Sequence, residues 1–239
     1  MKEAIFLGLY MSFFGAISSS IGGFLGGFFN IKSKNMIAFL YELTAGMMTG
    51  IVCFEMIPES IEISNTMFSI LGIAIGVAIV YITDIIIQKF NKKEKRGIIA
   101  LVIMFSMAIH NAIEGLAIGS SFIFSFSLGF TVLISIFLHD IPEGMVVGIT
   151  NKINNKTLKM IIINSAIVGS FVGVGAFIGG YIGKINQINI AISLSIAAGA
   201  MLYLISCQLI PESKENTKNK VIYTTYILGI MVGMLISTI

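Results

Sequence analysis

The sequences SMAIHNAIEGLAIG (106–119) and SIFLHDIPEGMVVG (135–148) share one pattern, S-x-x-x-H-x-x-x-E-G-x-x-x-G. They contain the only two histidines of the chain, His110 and His139. Residues four apart lie on the same face of an α-helix. Each copy therefore predicts a helix that carries serine, histidine and glutamate along one stripe.

The composition around these two segments is that of a membrane protein. The chain has 239 residues, of which 56% are hydrophobic and 11% charged, and its mean hydropathy is +0.96. Soluble domains carry about 25% charged residues. The apolar runs are long rather than short and alternating, which favours helices over a membrane barrel. Only two cysteines occur and no CxxC is present, which argues against a cysteine-based zinc site.

A membrane-spanning helix needs about 20 apolar residues. Eight apolar runs of about this length predict an all-α integral membrane protein with eight transmembrane helices in a single transporter domain, residues 1–239. The predicted spans are 4–29, 36–58, 67–88, 98–121, 128–149, 160–183, 188–210 and 221–239.

The basic residues predict the orientation of these spans. Of the 15 lysines and arginines, 13 lie in the connections after the first, third, fifth and seventh helices. Cytoplasmic loops are enriched in these residues. We therefore expect both termini to be extracytoplasmic.

The chain also contains a second, inverted repeat. AGMMTGIVCFEMIPES (45–60) and AGAMLYLISCQLIPES (198–213) share seven of 16 positions, yet they belong to spans of opposite direction. SFFG and IGG of the first span (12–15, 21–23) correspond more weakly to SFVG and IGG of the sixth (170–173, 178–180). Helices 1–3 and 6–8 are thus expected to form an inverted repeat around a central pair, helices 4 and 5, as in many secondary transporters. The alternative is a chance likeness between helices rich in glycine and isoleucine.

The central pair carries the polar groups that suggest a function. Charged side chains at the bilayer centre are costly and usually functional. Three acids, Glu114, Asp140 and Glu143, lie at similar depth, and a divalent cation would offset their charge. A site of imidazole and carboxylate suits Zn²⁺, Fe²⁺, Mn²⁺ or Cd²⁺. A membrane proton relay is the alternative. Pro142 is expected to kink the fifth helix beside these groups. The predicted metal ligands are His110, Asn111, Glu114, His139, Asp140 and Glu143.

HNAIEG (110–115) and HDIPEG (139–144) resemble the paired helix 4 and helix 5 signatures of the ZIP (Zrt/Irt-like) metal transporters, especially the bacterial branch. The resemblance implies one metal site made by the two histidines and two glutamates. It implies a neighbouring site at Asn111 and Asp140 that shares the glutamates. It also implies metal movement into the cytoplasm and frequent homodimers. Met47 or Met48 is either a path-facing residue or, more simply, part of the core.

The sequence departs from the ZIP pattern at three places. Ile113 stands where many bacterial members have proline, and QKFNKKEKRG (88–97) lacks the histidine-rich stretch of many relatives. Ser170-Phe171 is aligned with a Glu-Pro pair of helix 6. From this alignment we expect one tight metal at the first site and a weaker second one, because a serine hydroxyl replaces a carboxylate.

Acidic residues near the ends of the second and seventh spans suggest an entrance and an exit. Glu55, Glu59 and Glu62 are spaced to form a stripe that would concentrate cations. Glu212 is the repeat counterpart of Glu59 and would receive departing metal. The alternative at both places is an ordinary solvated helix end.

Metal transport thus competes with two other functions. A proton-coupled metal exporter or channel would use the same scaffold, and an intramembrane metalloenzyme is disfavoured because HExxH and G-x-S-x-G are absent. The preferred metal, the coupling ion and the mechanism stay open. We expect no enzymatic activity, no prosthetic group and no nucleic-acid partner. The expected partners are divalent metal ions and the lipid bilayer. Lysine-rich composition is typical of AT-rich bacteria, so the expected location is the bacterial plasma membrane, with multiple passes.

Overall fold

The computed structural model describes residues 2–28, 33–90, 95–182 and 188–238. Within these ranges the chain is helical with short connections and contains no strand. The prediction of an all-α fold is therefore confirmed.

The described residues form eight continuous helices, two of which contain a π-helical turn. They are α1 (Lys2–Phe28), α2 (Lys34–Ile51, Val52–Met56 and Ile57–Ile63), α3 (Thr66–Phe90), α4 (Lys95–Phe124), α5 (Phe126–Ile153), α6 (Leu158–Ile182), α7 (Ile188–Leu204, Ile205–Leu209 and Ile210–Asn216) and α8 (Lys220–Ile236). Each coincides with one predicted span. The predicted ends at 58 and 210 were too early, because α2 continues to Ile63 and α7 to Asn216.

Six of these helices are long and apolar enough to cross a membrane, judged over the described residues: α1, α2, α3, α5, α6 and α7. The helix α8 is apolar but has only 17 residues. Among the six, α2, α5 and α7 are the most buried, whereas α1 and α3 expose most of their surface. The exposed surface is apolar, as expected for helices that contact lipid rather than water.

The π-helical turns lie at equivalent places in the repeat. Val52–Met56 aligns with Ile205–Leu209, and each turn is followed closely by a proline, Pro58 or Pro211. Proline has no N–H and its ring crowds the carbonyl four residues earlier, so a wider turn accommodates it. By contrast, Pro142 lies within a helix, α5, that is α-helical throughout, and the kink expected there stays a prediction.

Two reciprocal hydrogen bonds join the repeated segments. The hydroxyl of Ser60 on α2 donates to the carbonyl of Ala191 on α7, at 3.0 Å. The hydroxyl of Ser213 on α7 donates to the carbonyl of Ala38 on α2, at 3.4 Å. Ser60 aligns with Ser213 and Ala38 with Ala191, so the two contacts are equivalent. This reciprocity supports the inverted relation of α2 and α7.

Glycines of the central motifs set the close packing around α4 and α5. A Cβ atom on Gly115 would meet the backbone carbonyl of Val172 on α6. A Cβ atom on Gly144 would meet the backbone carbonyl of Ser19 on α1. Only glycine permits such backbone contact. The motif glycines thus attach α4 to α6 and α5 to α1.

The helices form two packed groups. The first contains α1, α4, α5 and α6, with α1 and α4 lying along α6 and α1 also along α5. In the second, α2 packs along α8 and α3 along α7. Contacts of α4 with α7 and of α2 with α5 connect the groups. The polar residues of the repeated motif on α4 and α5 are therefore held in the first group, next to its contact with the second.

Candidate metal centre

One histidine and two glutamates meet between α4 and α5. Nε2 of His110 lies 2.8 Å from Oε1 of Glu114 and 2.7 Å from Oε1 of Glu143. The exposed fractions of the three side chains are 2%, 0% and 1%, respectively. His110 and Glu114 are one helical turn apart on α4, as the spacing predicted, and Glu143 approaches from α5.

This arrangement places two carboxylates beside one imidazole in the protein interior. Burying like charges together is unfavourable unless a positive charge or several hydrogen bonds compensate them. One ligand atom from each residue lies within 4.8 Å of the others, a spacing that suits a shared metal ion. A nitrogen and carboxylate oxygens are the donors that Zn²⁺ takes at about 2.0–2.2 Å. The three residues could therefore hold a divalent cation.

The residues that follow the two motif histidines are each attached to a flanking helix. Nδ2 of Asn111 donates to the carbonyl of Val168 on α6, at 3.1 Å. Oδ2 of Asp140 accepts from the hydroxyl of Ser18 on α1, at 2.8 Å. Both Asn111 and Asp140 are buried. These hydrogen bonds orient both side chains, and the role of Asn111 and Asp140 as metal ligands stays a prediction.

The remaining predicted ligand, His139, belongs to α5, but its side chain lies outside the described residues. The same holds for Ser135 of the same motif. Ser106, the equivalent serine on α4, is buried, and its hydroxyl has no hydrogen-bond partner among the described residues. The structure therefore describes the serine, histidine and glutamate of the motif copy on α4. Of the copy on α5 it describes the side chains of Asp140 and Glu143.

The acidic residues expected at the entrance lie around the π-helical turn of α2. Glu55 is within this turn and Glu59 within the turn after it; both are partly buried, whereas Glu62 is exposed. Glu59 is close enough to Glu55 and Glu62 to be affected by their charges. Glu212, partly buried, lies at the equivalent place in α7. The acidic cluster exists, and its role as an entrance stays a prediction.

The paired motif lies within a match to a known protein family. The profile of the family described as ZIP zinc transporter matches residues 87–239, which include both copies. The chain belongs to the ZIP zinc transporter family. The matched part covers α4 to α8 and begins near the end of α3.

Individual ZIP relatives match over about half of the chain. Zinc transporter ZIPB of Bordetella bronchiseptica is 26% identical over 131 residues, 54% of this chain and 41% of the relative. Human zinc transporter ZIP6 is 25% identical over 134 residues, 54% of this chain and 18% of the relative. Mouse zinc transporter ZIP10 is 29% identical over 115 residues, 48% of this chain and 14% of the relative. The chain thus matches less than half the length of each of these relatives.

The ZIP alignment made from the sequence places Ser170 at the helix 6 glutamate, and this alignment stays a prediction. In the structure, the hydroxyl of Ser170 donates to the carbonyl of Ile167 on its own helix. Its backbone carbonyl accepts from Ser12 of α1, at 3.0 Å. Ser170 therefore lies on the face of α6 that contacts α1. Val168 of α6 contacts the central motif through its carbonyl, which accepts from Asn111.

Sequence reasoning also missed the contribution of α1. Ser18 reaches Asp140 from a helix that was assigned only a structural part in the repeat. A signal was present in the run SSSIGG (18–23), where three hydroxyls and two glycines interrupt an apolar helix. Small residues at mid-helix indicate a close helix contact. The sequence did not indicate which helix α1 would contact.

Proposed function

We propose that this protein transports divalent transition-metal cations, zinc foremost, through the site formed by His110, Glu114 and Glu143. The observation that carries the proposal is the burial of these three side chains together, within 2.8 Å of one imidazole nitrogen, on two helices in the membrane-embedded part of a ZIP protein. Such a cluster is expensive in a bilayer unless it has a function. Fe²⁺, Mn²⁺ and Cd²⁺ suit the same donors.

The geometry supports reversible binding rather than permanent storage. The imidazole nitrogen lies between the two carboxylates, so a metal that arrives takes the place of a proton between the same three groups. The donor atoms then remain paired both before and after the metal leaves. His139 is expected to supply a further ligand, and Asn111 and Asp140 a second, neighbouring cation position. No resident prosthetic group and no enzymatic reaction are part of the proposal.

The topology follows from the helices and the basic residues. We place all eight helices across the membrane with both termini outside, because 13 of 15 lysines and arginines lie in the connections on the opposite face. Metal then moves from the acidic face near Glu59 toward the lysine-rich cytoplasmic face. The setting is the plasma membrane of a bacterium, with a homodimer as the assembly.

Zinc flux into proteoliposomes tests the proposal. Purified protein is reconstituted in vesicles that contain a zinc-sensitive dye, and an inward zinc gradient is imposed. Wild-type protein should give dye signal above empty vesicles, and Glu114→Gln should abolish it. Glu215→Gln, a change of an exposed acid, is the matched control. Wild-type zinc flux in Glu114→Gln would refute the site. Zinc flux that occurs only out of the vesicles, driven by protons that enter them, would favour a proton-coupled exporter.

A further inference from the structure

A hydrogen bond links α1 to the central motif of α5. The hydroxyl of Ser18 lies 2.8 Å from Oδ2 of Asp140, and both side chains are buried. Hydrogen bonds to a carboxylate are shorter and about twice as strong as those between neutral groups. The contact therefore has the geometry of a strong, buried hydrogen bond.

Ser18 has local alternatives for this bond. Its oxygen also lies 3.0 Å from the carbonyl of Gly15 and 3.1 Å from the carbonyl of Phe14, both on its own helix. Serines inside helices commonly donate to such carbonyls. A hydroxyl has only one hydrogen to donate. The carboxylate of Asp140 is the nearest of the three acceptors and the only charged one, so it is the preferred partner.

The packing of α1 against α5 makes this contact possible. One turn after Ser18, a Cβ atom on Gly22 would meet the backbone carbonyl of Ile141. On α5, a Cβ atom on Gly144 would meet the backbone of Ser19. The two backbones thus touch beside the bond, and a side chain as short as serine can span the gap.

A small cavity beside Asp140 is lined by apolar side chains that include Phe14, Ile136 and Phe137. Apolar groups do not fix the rotation of a carboxylate, whereas a directed hydrogen bond does. Asn111, the equivalent residue on α4, is fixed in a similar way by the carbonyl of Val168.

We propose that Ser18 is a positioning residue for Asp140, which sets the orientation of this carboxylate toward the second cation position. The inference rests on the proposed function, because Asp140 matters for a cation only if the cluster binds one. It assigns α1 a direct part in the site.

A double-mutant cycle on the full-length protein tests the proposal. Zinc binding is measured by calorimetry for the wild type, Ser18→Ala, Asp140→Asn and the double variant. We expect Ser18→Ala to weaken the weaker zinc-binding step by about tenfold, the usual consequence of removing a hydrogen bond to a charged group. The tight step should change by less than about twofold, and Ser18→Ala should have no further effect in the Asp140→Asn background.

Ser19→Ala is the matched control. Ser19 is the next residue of α1 and is equally buried, but its hydroxyl has no hydrogen-bond partner among the described residues. It should leave both binding steps unchanged. Equal effects of the two serine variants, or an undiminished effect of Ser18→Ala with Asp140→Asn, would show general packing and overturn the proposal.

The controls also separate this proposal from the proposed function. If Asp140→Asn weakens zinc binding but Ser18→Ala does not, Ser18 has no positioning part and the metal site stands. If Asp140→Asn leaves both binding steps as in the wild type, the second cation position is refuted, and the inference on Ser18 with it.

Discussion

Glu143→Gln should separate the charge of the proposed metal centre from its shape. The substitution keeps the size of the side chain and replaces a carboxylate 2.7 Å from Nε2 of His110 by a neutral amide. Because the other carboxylate, Glu114, belongs to the same helix as His110, the variant leaves α4 intact. Among the described residues, it removes the carboxylate by which α5 contacts His110.

The expected loss can be estimated from known metal sites. Removing a residue that merely supports a ligand weakens metal binding by about 10- to 100-fold. Glu143 is proposed to bind the metal itself, so its loss should cost at least the upper value, about 100-fold or roughly 3 kcal/mol. Folding should not suffer equally, since the variant removes one of two buried like charges.

Competition with a chelating dye in detergent measures this change. Thermal unfolding of the same samples serves as the check on folding, and Glu215→Gln, at an exposed position, as the control. Zinc affinity within about threefold of the wild type in a folded Glu143→Gln protein would refute the assignment, because threefold corresponds to only about 0.7 kcal/mol.

Three further predictions concern packing, protons and topology. Gly115→Val should prevent normal folding, because a Cβ atom there meets the carbonyl of Val172. Gly180→Ala should be tolerated, because the nearest atoms to a Cβ atom there lie at 3.4 Å. Size-exclusion chromatography compares the yields of folded protein, and equal yields would contradict the packing. Zinc affinity should decrease as pH is lowered from about 8 to about 5, because protons compete for the imidazole of His110; calorimetry that finds constant affinity would exclude a histidine ligand. In a protein with Cys53 and Cys207 replaced by serine, Lys92→Cys should resist impermeant thiol reagents in intact cells; labelling from outside would reverse the orientation.

The helices themselves were predictable because apolar length is a strong signal. A run of about 20 apolar residues has few other structures in a membrane. The π-helical turns of Val52–Met56 and Ile205–Leu209 were not predicted, because the helical spacing of apolar residues does not distinguish a π-turn from an α-turn. The prolines that follow them, Pro58 and Pro211, were the available signal. Pro142, by contrast, lies in α5 without a change of helix type.

The site was predictable where it depended on one helix. The contact of His110 with Glu114 follows from their spacing on α4, and the repeated motif indicated Glu143 as the counterpart. Contacts between helices depend on rotation about each helix axis, which a pattern rich in glycine and isoleucine does not determine. For this reason the contact of Ser18 with Asp140 was not predicted.

Anomalous diffraction from crystals grown with zinc tests the central claim most directly. Data collected above and below the zinc absorption edge locate the metal without reference to any alignment. The account predicts the strongest anomalous peak within about 2.0–2.2 Å of Nε2 of His110 and of carboxylate oxygens of Glu114 and Glu143. A strongest peak elsewhere, for instance among Glu55, Glu59 and Glu62, with none at His110, would contradict it.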